Sequence, residues 1–340
     1  MATNKSMRRA AGKVNYDLII TYSWVKYEFD EGYENYITKD KKICVFSNKR
    51  DKNIESNGLF KYFEDRQKVD GFTLIEVFYQ AEDESQLGVQ GMLKWGYFGN
   101  RCVIKTIHPN GEISKEVRYG TTDKEYRLDV FEDVIKDVDF VICNPPGTYW
   151  DKTYKMISKS GKLFSIWGHQ QKILNDAPRI DCMQKKVWGG NTHNKGIEFY
   201  VSDTNSYETK PGFSVYTNCE INLKKRELFN PFVTSEEMKD NGLMYKFDNS
   251  PVIYNVDEYN NIPKDFRGIL SVPVSNVFML DKNQYNFIGN VNGKRKNEKI
   301  GQFCFERMLG INHKGVVQSV TLGVKDGKVC ASRSLIEKTA

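Results

Sequence analysis

The sequence is poor in the residues that most often build metal centres. It has 4 histidines among 340 residues, and no two of them form an H-x-x-x-H pair. Its 7 cysteines include no C-x-x-C pair, and their odd number argues against a framework of disulfide bonds. We therefore expect no dedicated metal site and no disulfides, and we expect a cytoplasmic location because that compartment is reducing.

Long apolar runs are missing as well. No stretch of about 18 apolar residues occurs, which predicts a protein that does not span a membrane. Residues 1–13, MATNKSMRRAAGK, are basic and lack the apolar core of a signal peptide, so we expect a flexible basic arm. The formal net charge of +6 is a mild excess that fits a nucleic-acid partner.

The first half of the chain alternates apolar and helix-like segments. Four segments have the composition of buried strands (DKKICVFSN, GFTLIEVFYQ, VDFVICNPP and GKLFSIWG), and LFKYFEDRQKV is helix-like. This alternation is typical of an α/β fold with a mostly parallel, twisted sheet. Ligands bind at the carboxyl ends of such strands, so the polar residues after Val45 and after Cys143 mark the expected site.

Two further patterns complete the predicted organisation. RCVIKTIHPNGEISKEVRYG is typical of a β-hairpin with Asn110-Gly111 as its turn. Beyond about residue 176 the sequence is rich in Asn, Tyr, Gly and Lys, with short strands such as KGIEFYVSD and RGILSVPVSNVFML. We expect residues 14–175 to form one domain and residues 176–340 a second region that is largely β or irregular.

The third apolar strand ends in Asn144, Pro145 and Pro146. The two prolines remove backbone N–H groups and fix the backbone, which leaves their carbonyls and the Asn144 amide oxygen as acceptors without competing donors. Such acceptors suit an amino group that is held by both of its hydrogens, with its lone pair directed at an electrophile. Methylation of an exocyclic amine with S-adenosylmethionine has this requirement. A plain strand-terminating turn is the alternative interpretation.

A cysteine nucleophile is not expected. Methylation of a cytosine ring carbon uses a Pro-Cys motif, and the chain has no Pro-Cys dipeptide. Cys143 lies on the apolar strand, where we expect it to belong to the core. Amine methylation needs no covalent intermediate with the enzyme.

Longer blocks of sequence extend this interpretation. RLDVFEDVIKDVDFVICNPPGTYW, KVWGGNTHNKGIEFYVSD, GFSVYTNCEINLKKRELF and YKFDNSPVIYNVDEYNNIPKDFRGILSVPVS are similar, in this order, to blocks of the EcoRI-type adenine-specific DNA methyltransferases. The chain resembles that family from about Val14 to Asn290. The resemblance implies a Rossmann-like domain that uses S-adenosylmethionine, followed by a region that recognises double-stranded DNA. We expect a monomer that either has a cognate restriction endonuclease or acts alone as a protective modifier.

The resemblance also implies roles for individual residues. Asn144, Pro145 and Pro146 would hold the target amine, and Gly147 is the fourth residue of this catalytic motif. The resemblance assigns to the cofactor pocket Asp17, Thr21, Asn48, Asp51, Ser56, Asn57 and Asp129.

Contacts with DNA are expected from cationic residues of the second region. Arg226 lies in a family-like block, and the loop NGKRKNEK supplies Lys294, Arg295 and Lys296. Phosphate contact is the functional interpretation of such residues, and a solvated surface is the alternative.

The chain departs from the family at the catalytic motif. The family has an aromatic residue after the two prolines, which stacks on the extruded base, whereas this chain has Gly147. Stacking is worth about 1–3 kcal/mol per base, and Tyr149 or Trp150 could supply it instead. Three alternatives therefore stay open: a catalytically silent DNA- or cofactor-binding protein, methylation of the cytosine amine, and modification of RNA.

Overall fold

The structure is a computed structural model that describes residues 18–47, 58–79, 101–119, 128–145, 149–190, 197–201, 206–210, 212–221, 233–246, 253–258, 261–278, 280–291, 324–325, 328–329 and 333–339. Contacts between Cα atoms divide the chain into two compact units. The first comprises residues 1–168 and 195–221, and the second comprises residues 169–194 and 222–340. None of the helices in these ranges is long and apolar enough to cross a membrane.

Strands and helices alternate along the chain. The described strands are β1 (Leu18–Ile20), β2 (Lys42–Ser47), β3 (Thr73–Tyr79), β4 (Arg101–Ile107), β5 (Ile113–Tyr119), β6 (Phe140–Asn144), β7 (Leu163–His169), β8 (Trp188–Gly189), β9 (Ile197–Val201), β10 (Ser206–Lys210), β11 (Phe213–Thr217), β12 (Met244–Lys246), β13 (Ile253–Val256), β14 (Ile269–Pro273), β15 (Tyr285–Val291), β16 (Val324–Lys325), β17 (Lys328–Val329) and β18 (Arg333–Lys338). The described α-helices are α1 (Tyr22–Gly32), α2 (Gly58–Asp70), α3 (Leu128–Lys136), α4 (Trp150–Lys159), α5 (Asp176–Met183), α6 (Ser235–Asp240) and α7 (Val274–Val277).

The largest sheet has a parallel centre. Within the first unit its strands run in the order β5-β4-β3-β2-β6-β7-β11. β2 pairs in parallel with β3 and β6, and β6 pairs in parallel with β7, whereas β3–β4 and β4–β5 are antiparallel. The predicted α/β fold with a mostly parallel sheet core is therefore confirmed.

The hydrophobic core of the first unit is built around Phe29 on α1. Its ring lies 4.9 Å from that of Phe63 on α2, 6.4 Å from that of Phe140 on β6 and 5.8 Å from that of Trp167 on β7. Aromatic pairs at these distances add stabilisation beyond the area that they bury. Helices α1 and α2 are therefore fixed to the strands whose carboxyl ends carry the candidate site.

The predicted hairpin is confirmed. β4 and β5 pair with each other, and the N–H of Gly111 donates to the carbonyl of His108 at 2.9 Å. Gly111 has a φ of +83°, a backbone conformation that L side chains rarely adopt. The Asn110-Gly111 pair therefore sets the turn through glycine at its second position.

A small antiparallel sheet joins sequence-distant segments within the first unit. β9 pairs with β1 on one side and with β10 on the other. Residues 195–221 thus belong to the compact unit that contains Asn144 and Pro145, although the sequence-based division assigned them to the C-terminal region. The functional division of the chain stays a prediction.

The second unit contains a sheet of order β12-β13-β14-β18-β15. β13 and β14 are parallel, and β18 pairs antiparallel with both β14 and β15. The buried Arg333 on β18 links three strands of this sheet. Its guanidinium donates to Ser271 Oγ on β14 at 2.9 Å and to the carbonyl of Val256, the last residue of β13, at 2.6 Å. An ion pair with Asp257 at 2.9 Å offsets the cost of burying its charge.

Candidate active site

Asn144 occupies the last position of β6. The preceding residues of the strand, Phe140 to Cys143, are buried, whereas Asn144 is half-buried and Pro145 is buried again. In the parallel ladder Asn144 is level with Ser47, the last residue of β2. The side-chain amide therefore leaves the core at the carboxyl edge of the sheet, where ligands bind in open α/β folds.

Tyr149 immediately precedes α4. Its carbonyl accepts hydrogen bonds from the backbone N–H of Thr153 at 2.9 Å and from the Thr153 hydroxyl at 3.0 Å. These bonds fix the backbone of Tyr149 at the start of the helix, and its side chain is half-buried. Tyr149 therefore lies four positions after Pro145, with its backbone held at the start of the helix by Thr153.

Trp150 is a core residue with 1% of its surface exposed. Its indole N–H donates to the Trp167 carbonyl at 2.7 Å, and its ring stacks on Tyr154 with centroids 5.0 Å apart. Tyr216 meets the same ring edge-on at 5.0 Å. Of the two residues expected to stack on a base, Trp150 is engaged in packing, and Tyr149 is the one with a partly exposed side chain.

Gly168 makes room for the Trp150 ring. A Cβ atom at Gly168 would lie 2.3 Å from Trp150 Nε1 and 2.6 Å from Trp150 Cε2, distances that real Cβ contacts essentially never show. The indole thus rests directly on the backbone of β7. The buried face of α4 also follows helical spacing, with Trp150, Thr153, Tyr154 and Ile157.

Thr21 caps α1 and contacts a distant carboxylate. Its hydroxyl accepts a hydrogen bond from Trp24 N–H at 3.4 Å and donates to Glu198 Oε1 on β9 at 2.7 Å. The Ser23 hydroxyl lies 3.2 Å from the same oxygen, and the backbone N–H of Thr21 donates to the Glu198 carbonyl at 3.1 Å. Glu198 therefore holds the junction between β1 and α1 in place.

Gly58 brings the start of α2 against this junction. A Cβ atom at Gly58 would lie 2.2 Å from Tyr22 N and 2.3 Å from the carbonyl carbon of Thr21, so no other residue fits without movement of the backbone. Because α2 follows β2 in the chain, its N-terminus faces the same edge of the sheet. Thr21, Glu198 and Gly58 are thus brought together from three parts of the sequence.

Asp129 is exposed in the first turn of α3. Two residues further on, the Phe131 ring stacks on Phe46 of β2 with centroids 4.0 Å apart. This contact fixes the start of α3 to the end of the strand that leads into the predicted cofactor loop. The other predicted site residues lie outside the described residues: Asp17, Asn48, Asp51, Ser56, Asn57, Pro146, Gly147, Arg226, Lys294, Arg295 and Lys296.

Cys143 is fully buried next to Asn144. Burial, together with the neighbouring Cys44 thiol, raises the pKa of Cys143 well above its ordinary value. A thiol with a raised pKa stays protonated at neutral pH, and a protonated thiol is a poor nucleophile. Cys143 is therefore not a candidate nucleophile at the end of β6.

Glu198 is the residue of this site that the sequence pattern did not single out. It stands between the buried Ile197 and Phe199 in a strand of alternating burial, which marks it as a residue of the opposite face. Its position in the family-like block KGIEFYVSD was a second signal. Neither signal predicts a partner at Thr21, because 177 residues separate the two positions.

Three curated relatives are similar to the chain. The Type II methyltransferase M.MgeORF184P of Mycoplasma genitalium is 26% identical over 209 residues, which cover 57% of this chain and 61% of that protein. M.MpnI of Mycoplasma pneumoniae is 24% identical over 46% of this chain and 52% of its own length. M.EcoRI of Escherichia coli is 20% identical over 309 residues, covering 84% of this chain and 89% of that protein.

The chain thus spans between half and two thirds of the two Mycoplasma relatives. No solved structure matches it. A family model described as adenine-specific methyltransferase EcoRI matches residues 22–337, from the start of α1 to the penultimate residue of β18. Because this match covers most of the chain, the chain belongs to the EcoRI family of adenine-specific methyltransferases.

Proposed function

We propose that this protein is a DNA methyltransferase that transfers a methyl group from S-adenosylmethionine to the exocyclic amine of adenine in duplex DNA. The observation that supports this most directly is the position of Asn144 and Pro145. They end a buried parallel strand level with Ser47, in a chain that the family model covers from residue 22 to residue 337.

The described residues around this edge have the chemistry that the cofactor needs. Its amino-acid end carries a carboxylate and an ammonium group, and its adenosine carries a ribose diol. Glu198 and the hydroxyls of Thr21 and Ser23 form a polar group beside the N-terminus of α2, and a helix N-terminus favours a carboxylate. The exposed carboxylate of Asp129 suits the ribose diol. When bound, S-adenosylmethionine supplies an electrophilic methyl group on a sulfonium.

Asn144 positions the target amine in the proposed mechanism. Its amide oxygen and the Pro145 carbonyl each accept one hydrogen of the amino group, which keeps the nitrogen lone pair out of conjugation with the ring. Because β6 is buried up to Cys143, the Asn144 backbone is held rigidly, and little reorganisation accompanies the reaction. Orientation of this kind, rather than acid–base chemistry, accounts for the rate.

Tyr149 is the residue that we propose for stacking on the extruded base. Flipping a base costs a few kcal/mol, which stacking worth about 1–3 kcal/mol partly offsets. Tyr149 is half-buried at the start of α4, and its backbone is fixed by Thr153. Trp150 acts as the packing support of this position, because its indole is fixed to Trp167.

The region beyond residue 176, with Arg226, Lys294, Arg295 and Lys296, is proposed to grip the DNA backbone. Cations there would bind through phosphates, which gives affinity without reading sequence. The pairing with a cognate restriction endonuclease is part of the same proposal, because the three relatives are named Type II methyltransferases.

The test is incubation of duplex DNA with the protein and methyl-labelled S-adenosylmethionine, followed by digestion to nucleosides and mass spectrometry. We expect labelled N6-methyldeoxyadenosine. Labelled N4-methyldeoxycytidine would show that cytosine is the substrate base. Label found only when RNA is supplied would show that RNA is the substrate. Cofactor binding without any labelled nucleoside would instead support a catalytically silent protein.

The Asn144→Ala variant tests the role of the Asn144 amide in methyl transfer. We expect it to reduce kcat by at least about a hundredfold while the affinity for S-adenosylmethionine is unchanged, since positioning is worth several kcal/mol. Asn110→Ala, in the hairpin turn of the same unit, is the control and should retain full activity. Unchanged methyl transfer by Asn144→Ala would refute the mechanism.

A further inference from the structure

Three cationic residues lie near one another at one end of the sheet in the second unit. Lys264 and Arg267 are exposed on the segment that leads into β14, and Lys338 ends the neighbouring β18. The Lys338 ammonium donates to the Lys264 carbonyl at 2.7 Å. Arg267, Gly268, Glu337 and Lys338 line one open cavity of about 400 Å³.

The neighbouring carboxylates, Asp265 and Glu337, are fewer than the three cations. Both oxygens of Asp265 accept hydrogen bonds from Ser235 at the start of α6, with distances of 2.9 and 3.2 Å to its backbone N–H. Glu337 lines the cavity, but it forms no ion pair with any residue that the structure describes. Arg267 likewise has no hydrogen-bond or ion-pair partner within the described ranges.

Like charges crowd Lys338. Partial burial, followed by the positive charges of Arg267 and Lys264, lowers the pKa of Lys338 below its ordinary value, and the Asp265 carboxylate offsets part of this effect. A group whose pKa is lowered by neighbouring cations is stabilised when an anion binds between them. The excess of cations around this cavity favours an anionic group.

Aromatic contacts extend the positive surface. A Cβ atom at Gly268 would lie 2.9 Å from the Phe266 ring, so this ring packs against the backbone at the rim of the cavity. Phe266 meets Tyr254 edge-on at 5.4 Å, and the Lys239 ammonium lies over both rings, 5.0 Å from the centroid of Tyr254. Lys239 thus adds a fourth cation in an orientation that its ring contacts fix.

We propose that Lys264, Arg267 and Lys338 form a contact surface for the phosphate backbone of duplex DNA. This inference rests on the proposed function, because the anion is the backbone of the proposed substrate. Phosphodiesters are the anion that the proposed substrate presents, and they recur along the duplex, so that several cations can each contact one. Arginine binds phosphate oxygens through two N–H groups, and lysine does so as a point charge.

The test is binding of the full-length chain to a fluorescent duplex of arbitrary sequence, measured between about 50 and 200 mM salt. Removal of one cation that binds a phosphate should make the slope of log K against log salt shallower by about one. We expect this change for Arg267→Gln and for Lys338→Gln. Glu337→Gln, in the same cavity, should tighten binding, whereas damage to the fold would weaken it.

Lys186→Gln is the control, because Lys186 is an exposed lysine of the same unit outside the surface. If Arg267→Gln and Lys338→Gln keep the wild-type slope, or if Lys186→Gln changes it equally, the proposed surface is wrong. Methyl transfer by the wild-type chain is assayed on the same DNA. If the wild-type chain methylates DNA but the variants keep its salt-dependence slope, only the proposed surface is refuted. If the wild-type chain neither binds nor methylates DNA, the proposed function is refuted.

Discussion

The hydroxyl of Thr21 donates a 2.7 Å hydrogen bond to the carboxylate of Glu198, which lies 177 residues further along the chain. This bond joins the start of α1 to the middle strand of the small antiparallel sheet. The Ser23 hydroxyl contacts the same oxygen. A single carboxylate therefore orients two hydroxyls next to the N-terminus of α2.

Glu198→Gln should weaken the binding of S-adenosylmethionine by roughly tenfold, which corresponds to about 1.4 kcal/mol. The variant keeps the size of the side chain but replaces charge-assisted hydrogen bonds with neutral ones, which are weaker. Isothermal titration calorimetry without DNA measures the effect. The control is Glu31→Gln, which makes the same change of charge on the exposed face of α1. If both variants bind S-adenosylmethionine with equal affinity, Glu198 does not support the cofactor pocket.

Tyr149→Ala should lower kcat/KM for DNA by about tenfold to a hundredfold, because stacking on a base is worth about 1–3 kcal/mol. Tyr149→Phe keeps the ring and should retain most of the activity. The fluorescence of a 2-aminopurine at the target position reports base extrusion independently of methyl transfer. If Tyr149→Ala shows the same 2-aminopurine fluorescence and the same kinetics as the unmodified chain, Tyr149 does not stack on the base.

Gly168→Ala should reduce the free energy of unfolding by about 1–3 kcal/mol, the usual cost of overpacking a core. The added methyl group would lie 2.3 Å from the indole nitrogen of Trp150. Urea denaturation measures this change, and Lys155→Ala on the exposed side of α4 should alter the free energy by less than about 0.5 kcal/mol.

The same contact can be tested in a double-mutant cycle with Trp150→Phe. The smaller ring lacks the nitrogen that the methyl group would meet, so the added cost of Gly168→Ala should decrease in this background. Strictly additive costs would mean that Trp150 and Gly168 are not coupled.

Stability should decrease at alkaline pH because of the buried thiols. Burial raises the pKa of Cys219 to about 12 and that of Cys143 well above its ordinary value. The unfolded chain releases these protons above about pH 8.5, whereas the folded chain retains them, so stability is fully present below that pH and decreases above it. Each thiol should contribute a slope of about 1.4 kcal/mol per pH unit.

Urea midpoints at neutral and alkaline pH measure this dependence. Cys143→Ala removes one titrating thiol and should give a shallower alkaline slope than the unmodified chain. A slope that does not differ between the two proteins would show that Cys143 ionises in the folded state as it does in the unfolded state.

Local sequence patterns predicted most of the first unit. The apolar segments around Val45, Ile142 and Ile166 all form strands of the central sheet, and Asn110-Gly111 forms the predicted turn. Strand composition, turn chemistry and chain connectivity are local signals, which is why they can be recognised without a structure. The carboxyl-edge position of Asn144 followed from the same signals.

Contacts between sequence-distant residues could not be predicted in this way. Trp150 follows the Asn-Pro-Pro motif, which suggested stacking on the base, but its ring is fixed by Trp167, Gly168 and Tyr216. The spacing of the apolar face of α4 was the signal that favoured a core position. The link from Thr21 to Glu198 likewise depends on strand pairing, which no local pattern encodes.

The close approach of Gly58 to Thr21 and Tyr22 has a consequence for the segment that precedes it. Ser47 ends a buried parallel strand, and Gly58 packs against the backbone of Thr21 and Tyr22. The scaffold therefore fixes both attachment points of residues 48–57. Substitutions within that segment leave its attachment points unchanged. Residues 48–57 are therefore attached to the scaffold at Ser47 and Gly58, and Gly58 itself has no room for a side chain.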